Sequence, residues 1–189
     1  MDNSETPTPN NWNLREFTGI GYDKGGSKLR QITWMLISGT VFTRWWCPAS
    51  VRVAILRRFG ARIGDGVLIR HRVQIHWPWK LSIGDGTWIG ENTWILNLED
   101  VQIGNNVCIS QSVFICTGSH DRKSPTFEFD NAPILIEDNV WIAAQATVLR
   151  GVTIGARSTV GARVLVVKDL AQESIVTAPI GILHKEETI

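Results

Sequence analysis

Cysteine is scarce in this chain. Cys47, Cys108 and Cys116 are the three in 189 residues, too few and too scattered for a disulfide framework or a zinc module, and they suit a reducing cytoplasm. Charge imbalance is missing too. Nineteen Lys and Arg stand against eighteen Asp and Glu, for a formal net charge of +1, which gives no general case for nucleic-acid binding. No apolar run spans a bilayer: the longest, 29–42, is bracketed by Arg30, Gln31 and Arg44 and falls short of the ~20 residues required. The first ten residues are polar and proline-containing and form no signal-peptide pattern, so 1–11 reads as a flexible arm on a cytoplasmic protein.

What the chain does have is a six-residue clock. Aliphatic residues fall at Ile63, Ile69, Ile75, Ile83, Ile89, Ile95, Ile103, Ile109 and Ile115, then at Ile136, Ile142, Val148, Ile154, Val160 and Val166. Four residues later comes a small or β-branched residue such as Val67, Thr87, Val107, Val140 or Ser158. The residue right after the aliphatic one is often glycine, as at Gly64, Gly84, Gly104 and Gly155. Neither a 3.6-residue nor a two-residue period yields this pattern. It describes an all-β solenoid whose repeats each contribute one short strand and a turn to a shared core.

Three hexads make one coil. Coil starts at Ile63, Ile83, Ile103, Ile136 and Ile154 give about five coils, stacked as a triangular prism of parallel strands. The third coil carries a long insertion, expected as an extruded loop over 118–132. The expected division is therefore an arm at 1–11, a helical cap or extension at 12–62, the solenoid at 63–171 and a C-terminal tail at 172–189.

At this point the sequence resembles the hexapeptide-repeat acyltransferases. The resemblance rests on Phe59-Gly60-Ala61-Arg62-Ile63-Gly64 entering the first coil, Cys116-Thr117-Gly118-Ser119-His120-Asp121 ending the third, Ile136-Glu137-Asp138-Asn139-Val140-Trp141-Ile142 opening the fourth and Val167-Lys168-Asp169-Leu170 closing the fifth. It is nearest to the acetyltransferases of colanic acid and related exopolysaccharide synthesis. The resemblance implies a left-handed parallel β-helix, a homotrimer with shared active sites, acetyl-CoA as co-substrate without a required metal, and acetyl transfer to a sugar hydroxyl of a glycan or lipid-linked precursor. It also implies direct transfer in a ternary complex.

Site residues follow from the same source. His120 takes the place of the family's catalytic base, and an imidazole suits removal of a hydroxyl proton at neutral pH. Asp121 is a candidate to orient it. Asn97, in an Asn-Leu step before a coil corner, is either an acceptor contact or a turn asparagine. The oxyanion would meet backbone N–H groups near Gly118 and Ser119. Ala143, Ala144 and Ala162 would admit the pantetheine arm, with Val167 and Lys168 near the nucleotide; simple packing and a solvated charge are the bland readings. The chain departs from the family after Leu170, where Ala171 replaces the usual proline and Ala178-Pro179-Ile180-Gly181 replaces the common Gly-Asn-Pro-Ala close.

Other classes remain in view. A γ-carbonic-anhydrase-like zinc enzyme would draw on His71, His76, His120 and His184, but in an order reversed from that class. A covalent route would use Cys116, and a non-catalytic scaffold would bind no CoA. Two surface features are open as well. Leu68, Trp88, Cys108 and Trp141 should form an outward apolar stripe, suited to subunit packing or to sugar stacking. The stretch 24–64 holds eight Lys or Arg and no Asp or Glu. It is a cap over the open coil, an anionic-membrane contact, or both.

Overall fold

The computed structural model describes residues 11–179, and in it the six-residue period becomes three sheets around one core. The first joins Arg62–Ile63, Leu81–Ile83, Val101–Ile103, Ile134–Ile136 and Thr153–Ile154 in that order. The second joins Leu68–Ile69, Trp88–Ile89, Cys108–Ile109, Trp141–Ile142, Thr159–Val160 and Ile175–Val176. The third joins Gln74–Ile75, Trp94–Leu96, Phe114–Cys116, Thr147–Leu149 and Leu165–Val166. Pairing is parallel and in step, so that Ile69, Ile89, Ile109, Ile142 and Val160 lie directly above one another.

The inward positions are buried as the period requires, with Ile89, Ile109, Ile115, Ile142 and Ile154 almost wholly excluded from water. Each such side chain contributes about 1.5–3 kcal/mol by burial. The ladder outruns the expected boundary at 171: Ile175–Val176 pairs with Thr159–Val160 and starts an incomplete sixth coil. The arm residues 1–10, Ile180, Gly181 and His184 lie outside the described residues.

The corners explain the sequence between the aliphatic residues. Each turn needs a left-handed residue, supplied by Asn106 (φ 52°), Asn139 (φ 59°) and Arg157 (φ 60°) at successive levels; asparagine bears that conformation better than most residues. The glycine after the aliphatic residue has a steric cause. A Cβ at Gly64, Gly84 or Gly104 would collide with the side-chain oxygen of Asp85, Asn105 or Asp138 from the next coil. Those oxygens accept from the backbone N–H of Asp65 (2.7 Å), Asp85 (2.8 Å) and Asn105 (2.7 Å), tying each corner to the one before it.

The open end of the first coil is closed by two helices. Helix α1 (Lys28–Ile37) starts where the Ser27 side chain accepts from Arg30 N–H, and continues into a π-helical turn, Ser38–Phe42. Helix α2 (Ala49–Arg58) starts directly after Pro48. Their donors satisfy the exposed strand edge: Arg52 donates to Ile69 O (3.2 Å), Arg57 to Ile63 O (3.0 Å) and Gly64 O (2.7 Å), and the Trp34 indole to His76 O (2.9 Å). An unpaired carbonyl edge costs free energy, and this requirement accounts for part of the cap's basic composition. Arg52 is buried with its remaining donors on Phe42 O and Arg44 O.

Residues 12–22 take a different course from the rest of the expected cap. They run to the extruded loop, where Asn13 N–H donates to Pro125 O (2.9 Å) and the Trp12 indole to Arg122 O (3.0 Å). The reason is visible in the loop itself, whose aromatic side chains and Glu128 offer partners that no local pattern in 12–22 discloses.

Candidate active site

The loop leaves the third sheet at the edge leading to the first. Its base is cross-linked by Asp130 N–H to Ser119 O (2.9 Å), Asp121 N–H to Glu128 O (2.8 Å) and Ala132 N–H to Thr117 O (3.1 Å). His120 and Phe129 form an antiparallel bridge inside it. Phe127, with its backbone at φ 56°, and Phe129 both turn to His120, while Glu128 turns to residues 18–20.

His120 is half-buried in aromatic surroundings. Its ring stacks on Phe127 (centroids 4.4 Å apart, 7° between planes) and on Phe129 (5.1 Å, 22°), and meets the edge of Phe17 at 5.8 Å. Its Nδ1 lies 2.8 Å from Phe127 O. A carbonyl only accepts, so the neutral imidazole carries its proton on Nδ1 and keeps a lone pair on Nε2. This is the arrangement a general base requires.

Several expected roles are revised by the geometry. Asp121 is exposed, and its carboxylate accepts from Lys123 N–H (2.8 Å) as a turn cap; the Phe127 carbonyl orients the imidazole in its place. Ser119 N–H already donates to Asn131 Oδ1 (3.1 Å) and is not available to an oxyanion. Asn97 is wholly buried. Its Oδ1 accepts from His76 N–H (3.1 Å) and Trp77 N–H (3.0 Å), and its Nδ2 donates to Trp77 O (2.6 Å) and Lys80 O (3.1 Å). It is a corner asparagine, its amide consumed by the coil below, and not an acceptor contact.

Cys116 is buried, donates to Gly118 O (3.3 Å), and burial pushes its pKa up. That is the opposite of what a thiolate nucleophile needs. The histidines have separate partners: His71 pairs with Glu91 (3.0 Å), and His76 Nε2 lies 3.4 Å from the Tyr22 hydroxyl. Burial, with Lys24 adding to it, lowers the His76 pKa, and burial raises that of Tyr22. Among the described residues no three His, Cys, Asp or Glu side chains are grouped as a metal site would need.

A cavity of ≈ 980 Å³ opens beside the loop, lined among others by Phe17, Tyr22, His76, Trp77, Leu98 and Phe129. Phe17 and Phe129 therefore touch His120 on one side and this cavity on the other. Sequence reasoning missed Phe17, Tyr22, Phe127, Glu128 and Phe129. The alternation Phe127-Glu128-Phe129 was the one local signal for the last three; nothing local marks Phe17 or Tyr22. Glu128 holds the N-terminal segment in place, accepting from Thr18 N–H (2.9 Å), Thr18 Oγ1 (3.1 Å), Gly19 N–H (2.9 Å) and Ile20 N–H (3.1 Å). The bonds from Thr18, with those from Thr126 and Gly19, hold its pKa below the usual carboxylate value.

The expected cofactor residues divide between two prism edges. Ala143, Ala144 and Ala162 stand between the second and third sheets, Ala143 buried, Ala144 half-buried and Ala162 exposed. Val167 and Lys168 are exposed where the chain leaves the third sheet for the first, on the loop's edge but two coils further along. One chain does not bring the three alanines to His120. The stripe is formed as expected: Leu68, Trp88, Cys108 and Trp141 are in register, with Trp88 57% and Trp141 50% exposed.

Comparison with known proteins places this geometry in context. Residues 133–168 match the family described as bacterial transferase hexapeptide (six repeats). The chain is 40% identical over 163 residues to WcaF of Escherichia coli strain K12, named as a colanic acid biosynthesis acetyltransferase, covering 83% of this chain and 88% of that protein. It is 30% identical over 124 residues to a galactoside O-acetyltransferase of Lactococcus lactis, covering 63% of this chain and 59% of that protein. A solved hexapeptide-repeat acetyltransferase from Vibrio cholerae, complexed with acetyl coenzyme A, superposes with a TM-score of 0.75 at 26% identity over 91% of this chain and 96% of that one.

Proposed function

The chain belongs to the hexapeptide-repeat acetyltransferases, and on that premise we propose that it transfers acetyl from acetyl-CoA to a sugar hydroxyl in exopolysaccharide or related glycan synthesis. The observation that carries the mechanism is the hydrogen bond from His120 Nδ1 to Phe127 O, which leaves Nε2 as the base. The acceptor hydroxyl gives its proton to Nε2 while its oxygen attacks the thioester carbon. The tetrahedral intermediate then collapses, the C–S bond breaks, and the CoA thiolate takes the proton from the imidazolium. No acyl-enzyme forms in this direct transfer.

The reacting hydroxyl must lie at His120 Nε2. The cavity on the far side of Phe17 and Phe129, which His120 does not line, is assigned to the remainder of the acceptor, its aromatic walls and the Tyr22 and His76 polar groups suiting further sugar units. The donor is assigned to the prism edges carrying Ala143, Ala144 and Ala162, with Val167 and Lys168 toward the nucleotide. Because the alanines and His120 occupy different edges, we propose a homotrimer in which neighbouring subunits complete each site. The exposed stripe of Trp88 and Trp141 supports such packing.

Acceptor-dependent CoA release, measured against hexoses, oligosaccharides and lipid-linked glycans, tests the function. Release accompanied by an acetyl ester on the sugar supports it. Absence of both release and acetyl-CoA binding by calorimetry refutes it and leaves a scaffold.

A further inference from the structure

Helix α1 is inverted. Trp34, 1% exposed, marks the side packed on the first coil. At 100° per residue, Leu29, Ile32 and Leu36 project within about 40° of the opposite direction, straight away from the solenoid. They are 75%, 57% and 63% exposed. A surface helix ordinarily puts charged residues there.

Lys28, about 60° from that direction, is the charged residue nearest it. Thr33 and Thr40 flank the face, and their hydroxyls donate to Leu29 O (2.8 Å) and Leu36 O (2.6 Å). Back-bonded threonines of this kind present only a methyl outward. Beyond the π-helical turn Trp45 (78%) and Trp46 (54%) are also exposed, Trp45 at a cleft with Arg44, Arg72 and Trp94. Helix α1 thus presents an exposed apolar face of Leu29, Ile32 and Leu36, followed in sequence by two exposed tryptophans, on a different element from Trp88 and Trp141.

Charge identifies what covers it. Arg30, Arg52 and Arg57 are engaged with Phe59 O, the coil edge and Asp65. Lys28 and Arg44, at the two ends of α1 and its π-helical turn, are exposed, whereas Lys24 lines the cavity beside His76; no Asp or Glu occurs between 24 and 64. Two copies of this surface set against each other would oppose like charges. An anionic, apolar-cored partner would satisfy both features, with Trp45 and Trp46 at the boundary where tryptophan is favoured.

We infer that the outer face of α1, with Trp45 and Trp46, is a docking surface for anionic lipid bilayers, on which the helix lies in the plane of the interface. The ten-residue helix and five-residue turn reach ~22 Å at 1.5 Å per residue, short of the ~30 Å hydrocarbon core. Among the described residues no helix is long and apolar enough to cross a membrane. Binding of this type combines buried apolar area with electrostatic attraction and weakens as salt rises. This inference does not depend on the acetyl-transfer reading.

The test is flotation of the full chain with phosphatidylcholine vesicles, with and without phosphatidylglycerol, at low and high salt. Expected is recovery with the phosphatidylglycerol vesicles, lost in high salt. Leu36→Glu and Trp45→Ala should each reduce it about tenfold, and Lys28→Glu, which leaves the apolar face intact, about fivefold or more. Light scattering on the same variants gives the subunit count, and circular dichroism confirms that they fold. Equal recovery on neutral vesicles, or none on either, overturns the inference. So does a change of subunit count in Leu36→Glu with vesicle binding intact, which would make the face a contact between copies.

Discussion

His120 and Phe127 are joined twice: Nδ1 donates to the Phe127 carbonyl at 2.8 Å, and the two rings stack 4.4 Å apart with 7° between their planes. The first contact sets the tautomer, and the second holds the ring's tilt. Seven residues of loop thus replace the carboxylate that many catalytic histidines use to orient them. Replacing His120 with Ala is expected to lower kcat by about 10²–10⁴ with little change in thermal stability. Release of the CoA thiol measures it, and activity that survives the change refutes the role.

Asp121→Asn is expected to leave kcat within a few-fold of wild type. Its carboxylate accepts from Lys123 N–H, and an amide oxygen accepts there equally well. A loss comparable to that in His120→Ala would return Asp121 to the proton path.

Cys116→Ala is expected to retain most activity, because the thiol is buried and its pKa is raised. Intact-mass spectrometry after mixing with acetyl-CoA should find no acetylated protein. An acetyl adduct lost in Cys116→Ala would establish a covalent route instead.

In Asn97→Ala, His76 N–H keeps Ile95 O and Trp77 O keeps Lys80 N–H, but the Trp77 N–H and the Lys80 C=O are left without partners. Each costs about 1–3 kcal/mol, so a large fall in Tm is expected. The KM for acceptor of the protein still folded should hardly move. A KM effect without loss of stability would contradict the structural role.

Glu128 links loop and N-terminal segment through its ionised form. Its pKa is lowered by the N–H groups of Thr18 and Gly19, so its contribution is fully present above the unfolded carboxylate value, about 4.3, and is lost as pH falls through the lower folded value. Hydrogen exchange at 18–20 should accelerate in that acidic window. In Glu128→Ala it should be fast at neutral pH too. Protection unchanged in the variant would show that the aromatic contacts alone hold the segment.

The repeat determined the solenoid without further help. Each coil repeats one local rule of aliphatic, glycine and left-handed corner residues, and each stacks only on its neighbours. Ile63, Ile83 and Ile103 therefore declared their common sheet by spacing alone. His120 was legible because it stands in a motif beside the one long interruption.

Tertiary structure decided what lies against that interruption. Residues 12–22 reach Glu128 and His120 across roughly 110 positions of chain, a distance over which sequence pattern carries no signal. Asn97 and Asp121 are both plausible site residues as letters; burial assigned one to a coil corner, and a two-residue hydrogen bond assigned the other to a turn. The basic stretch 24–64 divided the same way. Arginines that face unpaired strand carbonyls became structural, while Lys24 and Lys28 stayed on the surface. The physical reason is that a local repeat fixes what its own neighbours must be, whereas the partners of loops and caps are set by groups brought together only when the chain has folded.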